Sequence, residues 1–238
     1  MKRREFLKWS AGSAALALSL VTTSAGSTAY PDIQTSRRIS VVGVGGCGVR
    51  VIARMLDEFR PSRPVEGCTV GFFAVDTDHR SLIADTRKLD LTHHSLSRLS
   101  IQAITPSCAD PEMGRTIAWR HRKRLADELH LRNSAGLILL SGLGRGCGTG
   151  FSQMLAQQAQ RQGTRVVACT ILPFSFSYSF CQIDQELVRL QQSAHVVQVF
   201  THDETNQDAH LRDVMADCER DVIAYAVKLI ELGMESAA

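Results

Sequence analysis

The sequence predicts a three-layer α/β domain on a doubly wound, mostly parallel, Rossmann-like sheet. Three observations carry this. Short continuous apolar runs alternate with segments whose apolar residues recur at helical spacing. Two of those runs lead directly into glycine-rich loops, GVGGCG (Gly43 to Gly48) and GLGRGCGTG (Gly142 to Gly150). And 238 residues with 44% hydrophobic content suffice for one sizeable core. Strands buried on both faces lose the polar alternation of a half-exposed sheet, which is why the runs are continuous.

In chain order, RISVVGVGG (from Arg38) reads as a buried strand ending in a glycine turn. GVRVIARMLDEF follows with Val49, Ile52, Ala53 and Leu56 on one helical face. CTVGFFAVDTD (from Cys68) is a second strand, and DHRSLIADTRK a short helix. DPEMGRTIAWRHRKRLADEL (Asp110 to Leu129) reads as one longer helix. AGLILLSG is a third strand, and FSQMLAQQAQRQG a helix whose C-cap is Gly163. TRVVACTILPF is a strand stopped at Pro173. CQIDQELVRLQQSA is helical, HVVQVF a strand, and AHLRDVMADCERDVIAYAVKLIEL a long final helix. In such sheets ligands bind beyond the carboxyl ends of the strands, where both glycine loops fall.

Residues 1–29 stand apart. KRREFLK sets Arg3 and Arg4 ahead of Phe6 and Leu7, the apolar run Ala11 to Val21 follows, and small residues Ser27 and Ala29 close the segment. This order resembles a twin-arginine (Tat) export signal cleaved after Ala29, with the mature protein in the periplasm. The competing reading is an incidental basic N-terminus on a cytoplasmic protein. The apolar run is too short for a stable membrane span. Residues 30–37 read as a linker and 38–238 as the domain.

The N-terminal segment holds four basic residues and one acid, which accounts for the whole formal +3. The remainder is balanced, so net charge makes no case for nucleic acid. The run WRHRKR (Trp119 to Arg124) reads as a solvated helix face, with a polyanion or lipid contact as the alternative. Seven cysteines include no CxxC pair, which leaves out zinc-finger and thioredoxin patterns. Neither the GxSxG elbow of a serine hydrolase nor the HExxH of a zincin occurs.

Taken alone, GVGGCG satisfies the dinucleotide fingerprint. Glycines admit a tight turn, bring N–H groups close to a phosphate, and lie where a helix N-terminus adds positive potential. Asp76 at the end of the second strand would then face a ribose. The second glycine loop redirects this. With FFAVDTD, CADPEMGR and LPFSF, it resembles in order and spacing the nucleotide-binding domain of the FtsZ/tubulin family, from Arg38 to about Leu232.

The resemblance implies a GTP or GDP site, with Mg, at Gly45, Gly46, Cys47, Gly48, Asp76, Asp110, Pro111, Glu112, Gly144, Arg145, Gly146, Cys147, Gly148, Thr149, Gly150 and Asp221. It also implies what has changed. Cys47 stands for a Gly or Ala, Asp76 for an asparagine, Arg145 for a glycine and Cys147 for a threonine. Ser177 and Cys181 stand where the family has its acidic ribose contact and arginine. Arg220 replaces the guanine-reading asparagine, and Ala216 the aromatic that stacks on the base. A base stack contributes ~1–3 kcal/mol and an unpaired base edge costs a similar amount, so guanine specificity suffers more than phosphate binding.

The family continues into a second domain, reached by a loop whose acidic residue completes the neighbouring subunit's GTPase site. Here LIELGMESAA ends the sequence, so the expectation is a degenerate domain with weak or no GTPase activity. A scaffold protein assembling through Val222 to Ile230, apolar on most sides, is an alternative. The other is a metal or iron–sulfur centre at Cys47, Cys108 and Cys147, which the resemblance brings to one cleft.

Overall fold

The computed structural model describes residues 37–58, 68–87, 89, 96–101, 110–176, 180–202 and 210–234. The sequence segments 1–29 and 30–37, apart from Arg37, lie outside them, as do Cys108 and Ser177.

Six parallel strands run β1 (Arg37–Val44), β2 (Cys68–Asp76), β3 (Leu96–Ser100), β4 (Gly136–Gly142), β5 (Arg165–Ile171) and β6 (Val196–Phe200). Their spatial order is β3-β2-β1-β4-β5-β6. The chain therefore winds outward from β1 to β3, then returns to pair β4 with the other side of β1. Val44 neighbours Val75 of β2 and Ser141 of β4 at that reversal. The reversal opens a crevice at the carboxyl ends of β1 and β4, where doubly wound folds bind ligands.

Helices α1 (Gly45–Glu58), α2 (His79–Thr86) and α7 (Leu211–Glu231) cover one face, packing Ile52, Met55, Leu82, Val222 and Ile230 against Val41, Ala74, Ile138 and Val167. Helices α3 (Pro111–Arg120), α4 (Arg122–Glu128), α5 (Gly146–Arg161) and α6 (Phe180–Ser193) cover the other, with Ile117, Leu125, Phe151 and Leu190 against Val42, Val75, Leu139 and Ala168. The strand side chains thus alternate between two apolar layers, as period-two geometry requires.

Three elements differ from expectation. Strand β3 is a sixth strand that sequence patterning did not signal: only Leu96 and Leu99 of LSRLS are buried. The long helix breaks at His121, where α3 ends and α4 begins. Both α1 and α5 start inside their glycine runs, at Gly45 and Gly146. Gly163 lies just past α5 with φ of 77°, the left-handed conformation expected of a C-terminal glycine.

Candidate functional site

The glycine loops meet across the sheet's reversal. A Cβ added to Gly45, whose φ is 67°, would lie 2.7 Å from the backbone nitrogen of Gly148. The first turns of α1 and α5 therefore touch over the strand ends, although the helices depart on opposite faces. Two helix N-termini present their unpaired N–H groups and partial positive charge at one place.

The glycines divide by what surrounds them. A Cβ at Gly48 would overlap the Leu140 carbonyl oxygen, and one at Gly148 the Gly142 carbonyl oxygen. One at Gly150 would strike the Arg115 backbone nitrogen, and one at Gly114 the Gly146 carbonyl oxygen. These positions let helices and strands approach at backbone distance. Gly46 is different: its Cβ would meet only Ser81 Oγ, at 3.8 Å. Gly144 (φ 99°) makes the turn into α5, and its N–H donates to the hydroxyl of buried Thr149 at 2.9 Å. Arg145 occupies the N-cap position of α5 in extended conformation; its carbonyl accepts the Thr149 N–H at 3.1 Å, while its side chain is exposed and makes no capping hydrogen bond.

At the tip of β2, buried Asp76 accepts from the backbone N–H groups of Thr77 (2.6 Å) and Asp78 (3.2 Å). Asp78 in turn caps α2, accepting from Arg80 N–H at 2.9 Å and Ser81 N–H at 3.3 Å. Burial raises the Asp76 carboxyl above its usual range, opposed by those N–H donors and by the neighbouring Cys147 thiol. The pair joins the end of β2 to the first turn of α5.

Asp110 caps α3, accepting from Glu112 N–H at 2.9 Å, with Pro111 in the first turn. Glu112 is exposed and pairs with Arg115 and with Arg189 (3.2 Å). Arg115 also reaches Glu186 on α6 (2.6 Å) and Gln153 on α5 (2.8 Å). Gln153 closes the network by donating to Glu186 at 2.7 Å. This network ties α3, α5 and α6 together beneath the glycine loop.

On the α7 side, Asp221 is exposed. Arg220 pairs with Asp217. Arg54 donates to the Ala216 carbonyl at 3.2 Å and pairs with Glu219, as does Arg50, both at 3.6 Å. Ala216 and Glu219 of α7 are thus tied to α1 by Arg54, and Glu219 also by Arg50. The apolar face of Val222 to Ile230 is largely covered: Val222, Ile223, Ala226, Leu229 and Ile230 are all buried in the core.

Among the cysteines, Cys47 and Cys147 stand in the glycine turns, and Cys169 and Cys218 in the core facing α7. Burial pushes the Cys47 thiol up to about 11 and the Cys169 and Cys218 thiols up to about 12; Cys147 is raised well above the ordinary value by burial and by the Asp76 charge. Among the described residues, no three His, Cys, Asp or Glu side chains gather as metal ligands, and no helix is long and apolar enough to cross a membrane.

One feature escaped sequence reasoning. Phe174 stacks on His202, with centroids 4.0 Å apart at 10°, and on Phe176 at 5.2 Å and 19°. The three rings stand just past the carboxyl ends of β5 and β6. Phe174 and Phe176 lie in the LPFSF motif, but their pairing with a histidine 28 positions on carries no periodic signal.

A doubly wound sheet with two helix N-termini and two glycine turns at its switch point has the architecture of nucleotide-binding α/β domains. The chain belongs to the Tubulin/FtsZ family: the model of that family's GTPase domain matches residues 38–210. It is 30% identical over 170 residues to the cell division protein FtsZ of Buchnera aphidicola subsp. Schizaphis graminum, covering 71% of this chain and 41% of that one. It is 33% identical over 145 residues to FtsZ of Wigglesworthia glossinidia brevipalpis, covering 61% and 34%. The fold superposes on an empty FtsZ dimer structure from M. jannaschii with TM-score 0.68 at 24% identity, covering 84% of this chain and 56% of that one. It also matches GDP-bound monomeric CetZ1 from Haloferax volcanii, with TM-score 0.60 at 17% identity, covering 79% and 58%. The chain thus spans well under two thirds of the length of these relatives.

Proposed function

We propose that this chain binds GTP or another phosphate-bearing nucleotide, with Mg, and hydrolyses it weakly or not at all. The observation that carries the reading is the contact of Gly45 with Gly148, which sets two helix N-termini side by side at the switch point. Family membership supports the nucleotide, since the matched model is a GTPase domain and the similar CetZ1 was solved with GDP. Gly46 lies half-buried in the first glycine turn, and exposed Arg145 adds a positive charge to the second. The ion pair that holds Arg220 and the hydrogen bond from Arg54 to the Ala216 carbonyl support loss of base specificity rather than loss of phosphate binding. Calorimetric titration of the full chain with GTP and GDP, with and without Mg, tests this. Heat is expected at micromolar to millimolar nucleotide; a silent titration at millimolar ligand overturns the reading.

The cysteine-lined metal or redox alternative has less support. Among the described residues, no three His, Cys, Asp or Glu side chains gather round Cys47 or Cys147. Assembly through Val222 to Ile230 also has less support, because the sheet covers that face. Export through residues 1–29 belongs to the proposal: fractionation should recover the chain from the periplasm, and a wholly cytoplasmic chain would contradict it.

A further inference from the structure

Phe176 is the most exposed large apolar side chain among the described residues, at 74%. It is not a solitary surface phenylalanine. One face rests on Phe174, which rests on His202, so the ring is ordered by a three-ring column while its other face stays open. The column stands beside the candidate phosphate loop. Leu143 N–H of that loop donates to Ile171 O at 2.9 Å, and Leu172 N–H donates to Phe200 O at 2.9 Å. Three residues after Ile171 the chain reaches Phe174, and two after Phe200 it reaches His202. The loop and the ends of β5 and β6 are therefore joined by hydrogen bonds, and the stacked rings follow two to five residues beyond those ends.

The α7 side offers a base little. Ala216 has no ring, its carbonyl is held by Arg54, and Arg220 is engaged by Asp217. We propose that the nucleobase stacks on the open face of Phe176, so that the site takes nucleotides with little discrimination between guanine and adenine. This rests on the phosphate-cradle reading above and adds the base subsite to it. Stacking on an aromatic ring is base-tolerant, because every base has a π-face and no edge is read by hydrogen bonds.

The test measures affinities of the full chain for GTP, ATP and inorganic tripolyphosphate by calorimetry, in the native protein and in Phe176→Ala and Phe176→Trp. Native protein should bind GTP and ATP within about threefold of each other, and both about tenfold or more tighter than tripolyphosphate. Phe176→Ala should erase that tenfold advantage and leave tripolyphosphate binding unchanged. Phe176→Trp should keep it and show quenching of the new indole's fluorescence by either nucleotide. Because the ring is exposed, Phe176→Ala is expected to stay folded, which circular dichroism checks. Nucleotides that bind no tighter than tripolyphosphate overturn the base platform while leaving the cradle standing. So does a Phe176→Ala protein with native nucleotide affinity, or a hundredfold preference for GTP over ATP. If neither tripolyphosphate nor nucleotide binds, the cradle reading falls and this inference falls with it.

Discussion

The Cys147 thiol stands beside the Asp76 carboxyl group, bringing the first turn of α5 against the tip of β2. The two positions that the family resemblance reads as changed, an acid for an asparagine and a thiol for a threonine, are thus neighbours. Asp76 is a buried carboxyl group with a network of its own: the Thr77 N–H, the Thr77 hydroxyl and the Asp78 N–H all donate to it.

That network makes Asp76→Asn informative. Burial raises the Asp76 carboxyl in the folded chain, so the folded state holds its proton more tightly than the unfolded state. Stability is then lower above the folded value and recovers as pH falls through it. Asn keeps the carbonyl acceptor for the Thr77 and Asp78 N–H groups without the buried charge. Asp76→Asn should raise the urea midpoint at pH 7, and the gain should shrink towards pH 3.5. A variant less stable than native at pH 7 would mean that the charge itself holds the loop.

The glycine runs contain two kinds of residue, and substitution separates them. In Gly48→Ala the new methyl would overlap a backbone carbonyl of β4, which cannot rotate away. Overpacking costs about 1–3 kcal/mol, and a backbone obstacle puts this case at or above the upper end. In Gly46→Ala the methyl meets only Ser81 Oγ at 3.8 Å, in helix α1. Alanine there should leave stability unchanged or improve it by up to about 1 kcal/mol. It should also weaken phosphate binding, by standing at the mouth of the cradle. Equal destabilisation of the two variants in chemical denaturation would remove the distinction.

Sequence patterning could not make that division. A glycine needed for close helix packing and one needed for ligand approach look alike in GVGGCG, and only the neighbour across the contact tells them apart. The central strands were legible because burial on both faces leaves unbroken apolar runs such as LILL. Strand β3 was not, because an edge strand with two buried leucines among polar residues has too few apolar positions to set a period. The Arg115–Glu186–Gln153 network joins residues up to 71 positions apart. The Phe174–His202 stack likewise depends on strands β5 and β6 being neighbours. Both became visible only with the sheet order.

Thr149 is fully buried, and its hydroxyl accepts the Gly144 N–H. Thr149→Val keeps the shape and removes the acceptor. A buried N–H left without a partner costs about 1–3 kcal/mol. The loop carrying Arg145 should also loosen, so affinity for tripolyphosphate should fall together with the denaturation midpoint. Unchanged stability would indicate that water or a shifted backbone replaces the hydroxyl at no cost.

The buried thiols set an alkaline limit on the fold. Cys47 is pushed up to about 11 and Cys169 and Cys218 to about 12, against 9.0 for a free thiol, mainly by burial. Below pH 9 both folded and unfolded chains keep these protons, and the stability is fully present. Above pH 9 the unfolded chain releases them while the folded chain does not, so stability falls as pH rises. Each such thiol adds a slope of about 1.4 kcal/mol per pH unit until its folded value is reached. Lysines and tyrosines titrate in the same range, so the comparison must be made between variants. Cys169→Ala lowers the absolute stability by leaving a small cavity, yet it should flatten the slope between pH 9.5 and 11 by one thiol's share. Denaturation midpoints measured across that interval decide it: parallel curves for native and Cys169→Ala protein would mean that the thiol ionises in the folded chain as readily as in the unfolded one.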